Sequence, residues 1–240
     1  MTKKLQNKWN DKLASKMSEP ELLLYRSNLL GSDLRITNFG GGNTSAKIEM
    51  PDTLTGKNQN VLWVKGSGGD LGSMNLDGFS TLYMDKLNKL KELYRGLKYE
   101  DEMVDYLPHC TFNLNPRAAS IDTSLHAFIP NKHVDHTHPD AAIAVACMKN
   151  SKKMTKIIFG EDMAWIEWQR PGFDLGLKLE KIAKSNPKLK GVILGQHGLF
   201  TWGETSKECY ELTLSTSQGA ADWWEMTQSS DAVGGATDRQ

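Results

Sequence analysis

Two glycine-rich turns dominate the first third of the chain, and each lies at the end of a strand-like stretch. Gly40-Gly41-Gly42 separates LRITNF, whose apolar and polar residues alternate, from SAKIEM. Both flanking segments read as half-buried strands. TGKNQN then reads as a hairpin tip, and VLWVK is a third strand ending at GSGGDLG. Strand signals return later only between helices, as KIIF, AWIEW, HVDHTH and the two pieces of GVILGQHGLFTWG. The expectation from this pattern is one α/β domain with a mixed sheet, not a regular βαβ array.

The helices are marked by caps and spacing. In SEPELLLYRSNLLG, Ser18 and Glu21 form a capping box and Gly31 suits the stop. A short helix over Trp9 to Met17 precedes it. MDKLNKLKELY puts Met84, Leu87, Leu90 and Leu93 on one stripe. SIDTSLHAFI, PDAAIAVACMK, FDLGLKLEKIAKS and a long helix from Thr205 to about Thr227 complete the set. SSDAVGGATDRQ reads as a polar tail or linker. The domain is therefore expected over residues 1–228, with a tail over 229–240.

Charge narrows the partners. Lys and Arg total 29 and so do Asp and Glu, giving a formal net charge of +0. A general nucleic-acid binder shows a basic excess, and a membrane-surface protein a polybasic patch. The longest apolar run, Ala141 to Met148, is eight residues, against about 20 for a membrane span. The basic N-terminus has no apolar stretch of a secretory signal. Cys110, Cys147 and Cys209 are odd in number and far apart, so no disulfide framework is expected. These features give the expectation of a soluble, reduced, cytoplasmic protein.

The candidate chemistry centres on Asp135-His136-Thr137-His138-Pro139-Asp140. In an extended segment His136 and His138 point to one side, where two imidazoles can chelate a cation. His197, at the end of an apolar strand in LGQHGLF, is the natural third ligand for a zinc site with an open position. The competing reading is a chance pair in a loop. His109, His126 and His133 read as structural or solvated. Asp135 and Asp140 suit either orienting the imidazoles or capping turns. The turn from Asn38 to Ser45 and the turn from Lys65 to Gly72 offer backbone N–H nests for a small anion, or are simply tight turns. Neither is a nucleotide fingerprint. Leu71 stands where a dinucleotide loop needs glycine or alanine, and Gly56-Lys57 is followed by Asn58. Asp122, before a helix beside the histidine strand, is the best acid/base candidate, with a helix cap as its alternative.

Taken in order, NFGGGNTSAK, WVKGSGGDLGSM, SIDTSLHAFIP, HVDHTHPDAAIA and LGQHGLFTWGET resemble the class II aldolase/adducin family. The likeness runs from about Asn38 to Thr205. It looks nearest to the aldolase half of bifunctional rhamnulose-phosphate aldolase/short-chain dehydrogenase proteins, and the linker-like end would fit a domain cut from such a chain. The resemblance implies a zinc-dependent class II aldolase-like α/β domain with a central, largely antiparallel or mixed sheet flanked by helices on both sides, usually a homotetramer with active sites between subunits. It matches His136, His138 and His197 to the metal ligands, with iron, cobalt and manganese as other possible occupants. It places Asp122 where many relatives have a glutamate acid/base. It matches Gly42, Asn43, Ser67, Gly68 and Ser120 to the positions that hold a substrate phosphate. The implied reaction is cleavage of a ketose 1-phosphate to dihydroxyacetone phosphate and an aldehyde, lactaldehyde if the substrate is rhamnulose 1-phosphate. Two departures stand out. Asp122 is one methylene shorter than glutamate and is shared with pentulose-phosphate epimerases. Ile121 replaces a second phosphate-binding serine. A non-catalytic, adducin-like assembly domain is the third reading, and is expected to lack the three histidines.

Overall fold

A computed structural model describes residues 4–39 and 41–233, with side chains up to 227. Seven strands form one sheet in the order β3-β2-β1-β4-β7-β6-β5. They are β1 (Asn43–Pro51), β2 (Asn58–Lys65), β3 (Phe79–Tyr83), β4 (His133–Thr137), β5 (Met163–Ile166), β6 (Gly191–Leu194) and β7 (Gly198–Gly203). Every neighbouring pair is antiparallel except β5 with β6. The sheet is thus mixed, as the strand pattern implied, and largely antiparallel, as the family resemblance implied.

Around it lie α1 (Asp11–Ala14), α2 (Glu19–Gly31), α3 (Met84–Leu93), α4 (Glu102–Asp105), α5 (Thr123–Phe128), α6 (Asp140–Ala146), α7 (Ser151–Phe159), α8 (Phe173–Ser185) and α9 (Ser206–Val233). On one face, Leu125 of α5 and Leu175 and Leu179 of α8 pack with Val134, Val192 and Phe200. Leu87 and Leu90 of α3 extend this layer over Leu62 and Val64 of β2. On the other face α2, α6 and α9 cover β1, β4 and β7. Burial of these side chains, at about 25 cal/mol per Å² of apolar surface, is the main force closing both layers. Among the described residues no helix is long and apolar enough to cross a membrane.

Several local expectations hold for their stated reasons. Ser18 and Glu21 form the capping box of α2, and Met84, Leu87 and Leu90 are the buried stripe of α3, whereas Leu93, expected on the same stripe, is exposed in the last turn of the helix. Three differ. LRITNF is a turn, not a strand. Asp33 accepts backbone N–H bonds from Ile36 and Thr37, and its side chain binds Arg35. Such local acceptors compete with a strand ladder. The alternation there served only one residue, Ile36, which is 1% exposed against Leu30 and Tyr210, while Leu34 faces solvent. KIIF is the end of α7, with Ile157 exposed and Gly160 (φ 64°) just beyond the helix. β3, FSTLY, gave no clear signal, because Ser80 and Thr81 interrupt its apolar residues although both are buried. Two ends also move. α1 occupies only Asp11–Ala14 of the stretch from Trp9 to Met17, and α9 continues to Val233, past the boundary placed at 228. Residues 234–240 of the expected tail lie outside the described residues.

Candidate metal centre

The three histidines arrive from two neighbouring strands. His136 lies on β4, His138 just beyond its end, and His197 in the turn joining β6 to β7. That turn is held by Gln196 N–H to the Ala146 carbonyl at 3.0 Å and His197 N–H to the Leu194 carbonyl at 3.1 Å. It also puts Gln196 at φ 56°, in the left-handed region that non-glycine residues rarely visit. Gly198, which follows, is required by close approach. A β-carbon there would come 2.6 Å from His138 Cδ2 and 2.9 Å from the Thr137 carbonyl. The glycine makes room for the imidazole of His138.

His136 Nε2 is 3.1 Å from His138 Nε2 and 3.3 Å from His197 Nε2. Nitrogens about 2.0–2.1 Å from one tetrahedral zinc lie about 3.3 Å apart, so the spacing is that of a shared cation. His136 stacks on Phe200 with centroids 4.2 Å apart and planes at 9°. Its Nδ1–H donates to the Leu199 carbonyl at 3.0 Å, which leaves the Nε2 lone pair facing the cluster. Burial is the first cause of lowered pKa values in all three rings, and the neighbouring imidazoles add to it at His136 and His197. His136 falls well below its usual range and His197 to about 4. Near neutral pH the three rings are therefore uncharged and their Nε2 atoms converge on one region, an arrangement that suits a divalent cation. The donor set fits such an ion, and these are the residues that could hold one.

Asp122 precedes α5 but does not cap it with its side chain. Instead Oδ2 accepts from Asn43 Nδ2 at 2.5 Å, while Oδ1 is buried without a hydrogen-bond partner. Burial pushes its pKa up to about 6, with Asn43 and Lys65 opposing the rise. Asn43 stands opposite His136 in the β1–β4 register, so one side chain ties the carboxylate to the histidine strand. Gly42, at φ 77°, allows β1 to start there. A β-carbon on it would meet Leu71 Cδ1 at 2.9 Å and the His136 carbonyl at 3.2 Å.

Among the other anion-site candidates, the Asn43 amide is committed to Asp122. Ser120 is buried, and its Oγ accepts the Asp122 N–H at 3.2 Å. Ser67 and Gly68 lie exposed on the turn after β2, where Ser67 N–H is used by the Ala118 carbonyl. Gly68 and Gly69 have φ 71° and 78°. Two residues near this turn escaped sequence reasoning, Lys65 and Arg117. The available signal was a lysine closing an otherwise apolar strand immediately before glycine. Asp135 does not orient an imidazole. It faces away from His136 and pairs with Arg26 at 2.9 Å, both fully buried. Asp140 is exposed at the start of α6. His126 and His133 are buried structural residues, hydrogen-bonded to Ser45 and Arg26, and His109 is exposed.

A fold with this sheet order and a histidine cluster between β4 and β7 can be compared with known proteins. The family profile of the Class II Aldolase and Adducin N-terminal domain matches residues 21–223. The chain belongs to that family. It is 44% identical over 216 residues to the "uncharacterized oxidoreductase YuxG" of Bacillus subtilis, covering 90% of this chain but 31% of that protein's length. The N-terminal class II aldolase domain of a conserved Thermoplasma acidophilum protein superposes with a TM-score of 0.81 at 32% identity, covering 91% of this chain and 99% of that one. L-fuculose-1-phosphate aldolase from Thermus thermophilus shares the fold, with a TM-score of 0.56 at 13% identity, covering 86% of this chain and 95% of that one.

Proposed function

We propose that this protein is a zinc-dependent aldolase that cleaves a ketose 1-phosphate, of the rhamnulose 1-phosphate type, into dihydroxyacetone phosphate and an aldehyde such as lactaldehyde. The observation that carries the reading is the convergence of three Nε2 atoms, with the tautomer of His136 fixed by the Leu199 carbonyl. Family membership and the fold shared with a sugar-phosphate aldolase support it. A divalent cation held by His136, His138 and His197 supplies Lewis-acid stabilisation for the charge that develops on the substrate oxygens.

The remaining chemistry falls to the chain. The C4 hydroxyl of the substrate gives its proton to solvent, the C3–C4 bond breaks to leave C4 as the aldehyde carbonyl, and the electron pair stays on C3. Asp122 in its protonated form delivers a proton to C3. Its raised pKa keeps a sizeable acid fraction near pH 6, and Asn43 fixes the direction of the carboxyl group. Ser120 and the turn at Ser67-Gly68 hold the phosphate, and Gly42 lets the chain pass close to the histidine strand. We place the reaction in a homo-oligomer, a tetramer by family resemblance.

The shorter acid at position 122 favours one rival, a pentulose-phosphate 4-epimerase working by the same bond cleavage. The test is metal analysis paired with assays on ketose 1-phosphates and pentulose 5-phosphates. The expected outcome is about one zinc per chain and release of triose phosphate, both lost in His136→Ala. Interconversion of pentulose phosphates without triose release selects the epimerase, and full activity in metal-free protein overturns both.

A further inference from the structure

Helix α5, which Asp122 precedes, is too short to hold itself in place. It has six residues, Thr123–Phe128, and helices below about 12 residues are marginal in water without tertiary support. Leu125 and the following Ile129 anchor it against Leu175 and Leu179 of α8 and Val134 of β4. Apolar contacts are non-directional, so they set the height of the helix over the sheet better than its position along its own axis. That position is fixed by a row of polar side chains on β1. Asn43, Ser45 and Lys47 are each two residues apart and so share one face of the strand. Asn43 Nδ2 donates to the Asp122 carboxylate at 2.5 Å. Ser45 Oγ and His126 Nδ1 share a hydrogen bond of 2.8 Å, with both residues fully buried. The Lys47 ammonium donates to the carbonyls of His126 at 3.1 Å, Ile129 at 2.8 Å and Asn131 at 2.7 Å. An ammonium has three N–H groups, and all of them are used here. Their acceptors include a carbonyl from the last turn of the helix, where no intrahelical partner exists.

The repeats of the two elements match. Alternate strand residues stand about 6.7 Å apart, and the turn from Asp122 to His126 rises about 6 Å. β1 and α5 therefore run side by side in the same direction, with Asp122 at the first point of attachment. Resting on the reading of Asp122 as the acid of the cleavage, we infer that Ser45 and Lys47 are positioning residues for that reaction: they lock the register of α5 on β1 and so set where the Asp122 carboxyl group stands relative to the histidine cluster. The short aspartate side chain has little reach to correct a displaced helix, and reacting groups have to be held within about 0.5 Å of the productive geometry. When either attachment is lost, α5 slides and the Asn43–Asp122 bond lengthens.

The test uses the full, metal-loaded chain as Ser45→Ala, Lys47→Met and Lys47→Arg. Each is read for kcat and KM in the cleavage assay, for zinc content, and for the titration of the Asp122 carboxyl carbon by NMR, assigned by its loss in Asp122→Asn. In Ser45→Ala and Lys47→Met, kcat should fall about tenfold to a hundredfold with KM and zinc content near wild type. The Asp122 titration should move to higher pH, because the Asn43 bond favours the carboxylate form. Lys47→Arg keeps a cation beside the carbonyls and should recover part of both effects. Ser45→Ala removes a single oxygen atom and is expected to fold even where Lys47→Met does not. Folded variants with wild-type kcat and an unmoved Asp122 titration overturn the proposal. A loss of kcat with an unmoved titration overturns it too, because it marks a purely structural role. A moved titration in a protein whose wild type cleaves no ketose phosphate keeps the positioning of Asp122 and discards the aldolase reading. Cleavage by wild type with the titration unmoved in every variant does the reverse.

Discussion

Replacing Arg26 with methionine should be among the most damaging single changes in this protein, although Arg26 touches none of the three histidines. The guanidinium is wholly buried between α2 and the sheet. Nη1 donates to His133 Nδ1 at 2.8 Å and to Ser206 Oγ at 3.1 Å, Nη2 to the Ser45 carbonyl at 2.7 Å, and Nε lies 2.9 Å from Asp135 Oδ1. Methionine fills much of the volume but leaves Asp135 charged and buried. Thr213 Oγ1 at 3.0 Å and Cys209 Sγ at 3.2 Å would be its remaining side-chain donors. Removing one partner of a buried pair costs about 3–5 kcal/mol. For a chain of this length each kcal/mol lowers the midpoint by about 2–4 °C, so Arg26→Met should melt roughly 6–20 °C early. The double variant Arg26→Met/Asp135→Asn removes the stranded charge and should recover part of the loss. The assay is urea unfolding of the metal-free proteins, where the midpoint should fall with an unchanged slope. A single variant within about 1 kcal/mol of wild type would refute the reasoning, because such a pair would not be carrying its desolvation cost. So would a double variant as unstable as the sum of the singles.

Asp122 gives a stability prediction with a definite sign. Its folded pKa, about 6, lies above the ordinary 3.8, so ionisation is harder in the folded state and stability falls as pH rises from about 4 through 6. Asp122→Asn should therefore abolish turnover yet stabilise the fold by at most about 3 kcal/mol at pH 7.5, a gain that thermal melts should show vanishing near pH 4. Because the Asn43 bond favours the carboxylate form, Asn43→Ala should raise that pKa further. The limb of the pH–rate profile that falls above about pH 6 should then move to higher pH. Gly198→Ala should push His138 off its position, since the new β-carbon would lie 2.6 Å from the ring. Zinc titration should show weaker metal binding there with little change in the far-UV circular dichroism.

What was legible in the sequence is what depends on short range. His136 and His138 share a side because a strand alternates, and His197 was marked by its place at the end of the apolar stretch Val192-Ile193-Leu194. The capping box of α2 and the stripe of α3 are equally local. What was not legible depends on partners far away. Arg26 and Asp135 are an unremarkable arginine in a helix and an aspartate beside a histidine until the fold brings them together. LRITNF and KIIF carried the right apolar residues for strands, but the Asp33 turn and the continuity of α7 decided otherwise. FSTLY is a strand because β2 pairs with it from Val61 to Lys65, and its own composition says little. Arg117 lies 52 positions from Lys65, and only the packing of its loop on Gly66 makes the two neighbours.

The sheet order explains why these groups serve one small site. The glycine turn with Lys65 follows β2, Asn43 opens β1, His136 ends β4, and His197 precedes β7, and these four strands are consecutive neighbours. Because β1 and β2 run antiparallel, as do β1 and β4 and β4 and β7, the relevant ends all fall on one edge. With strands about 4.8 Å apart, the glycine turn after β2 stands two strands, or about 10 Å, from the histidine strand. Asn43, on the strand between them, holds Asp122 in the gap. Under the proposed reaction this spacing suits a phosphorylated molecule of a few carbons, with its phosphate over β2 and its oxygens at β4. It also accounts for the balanced composition. Under that reading one cation and a few local donors hold the anionic group, so the remaining surface needs no basic excess.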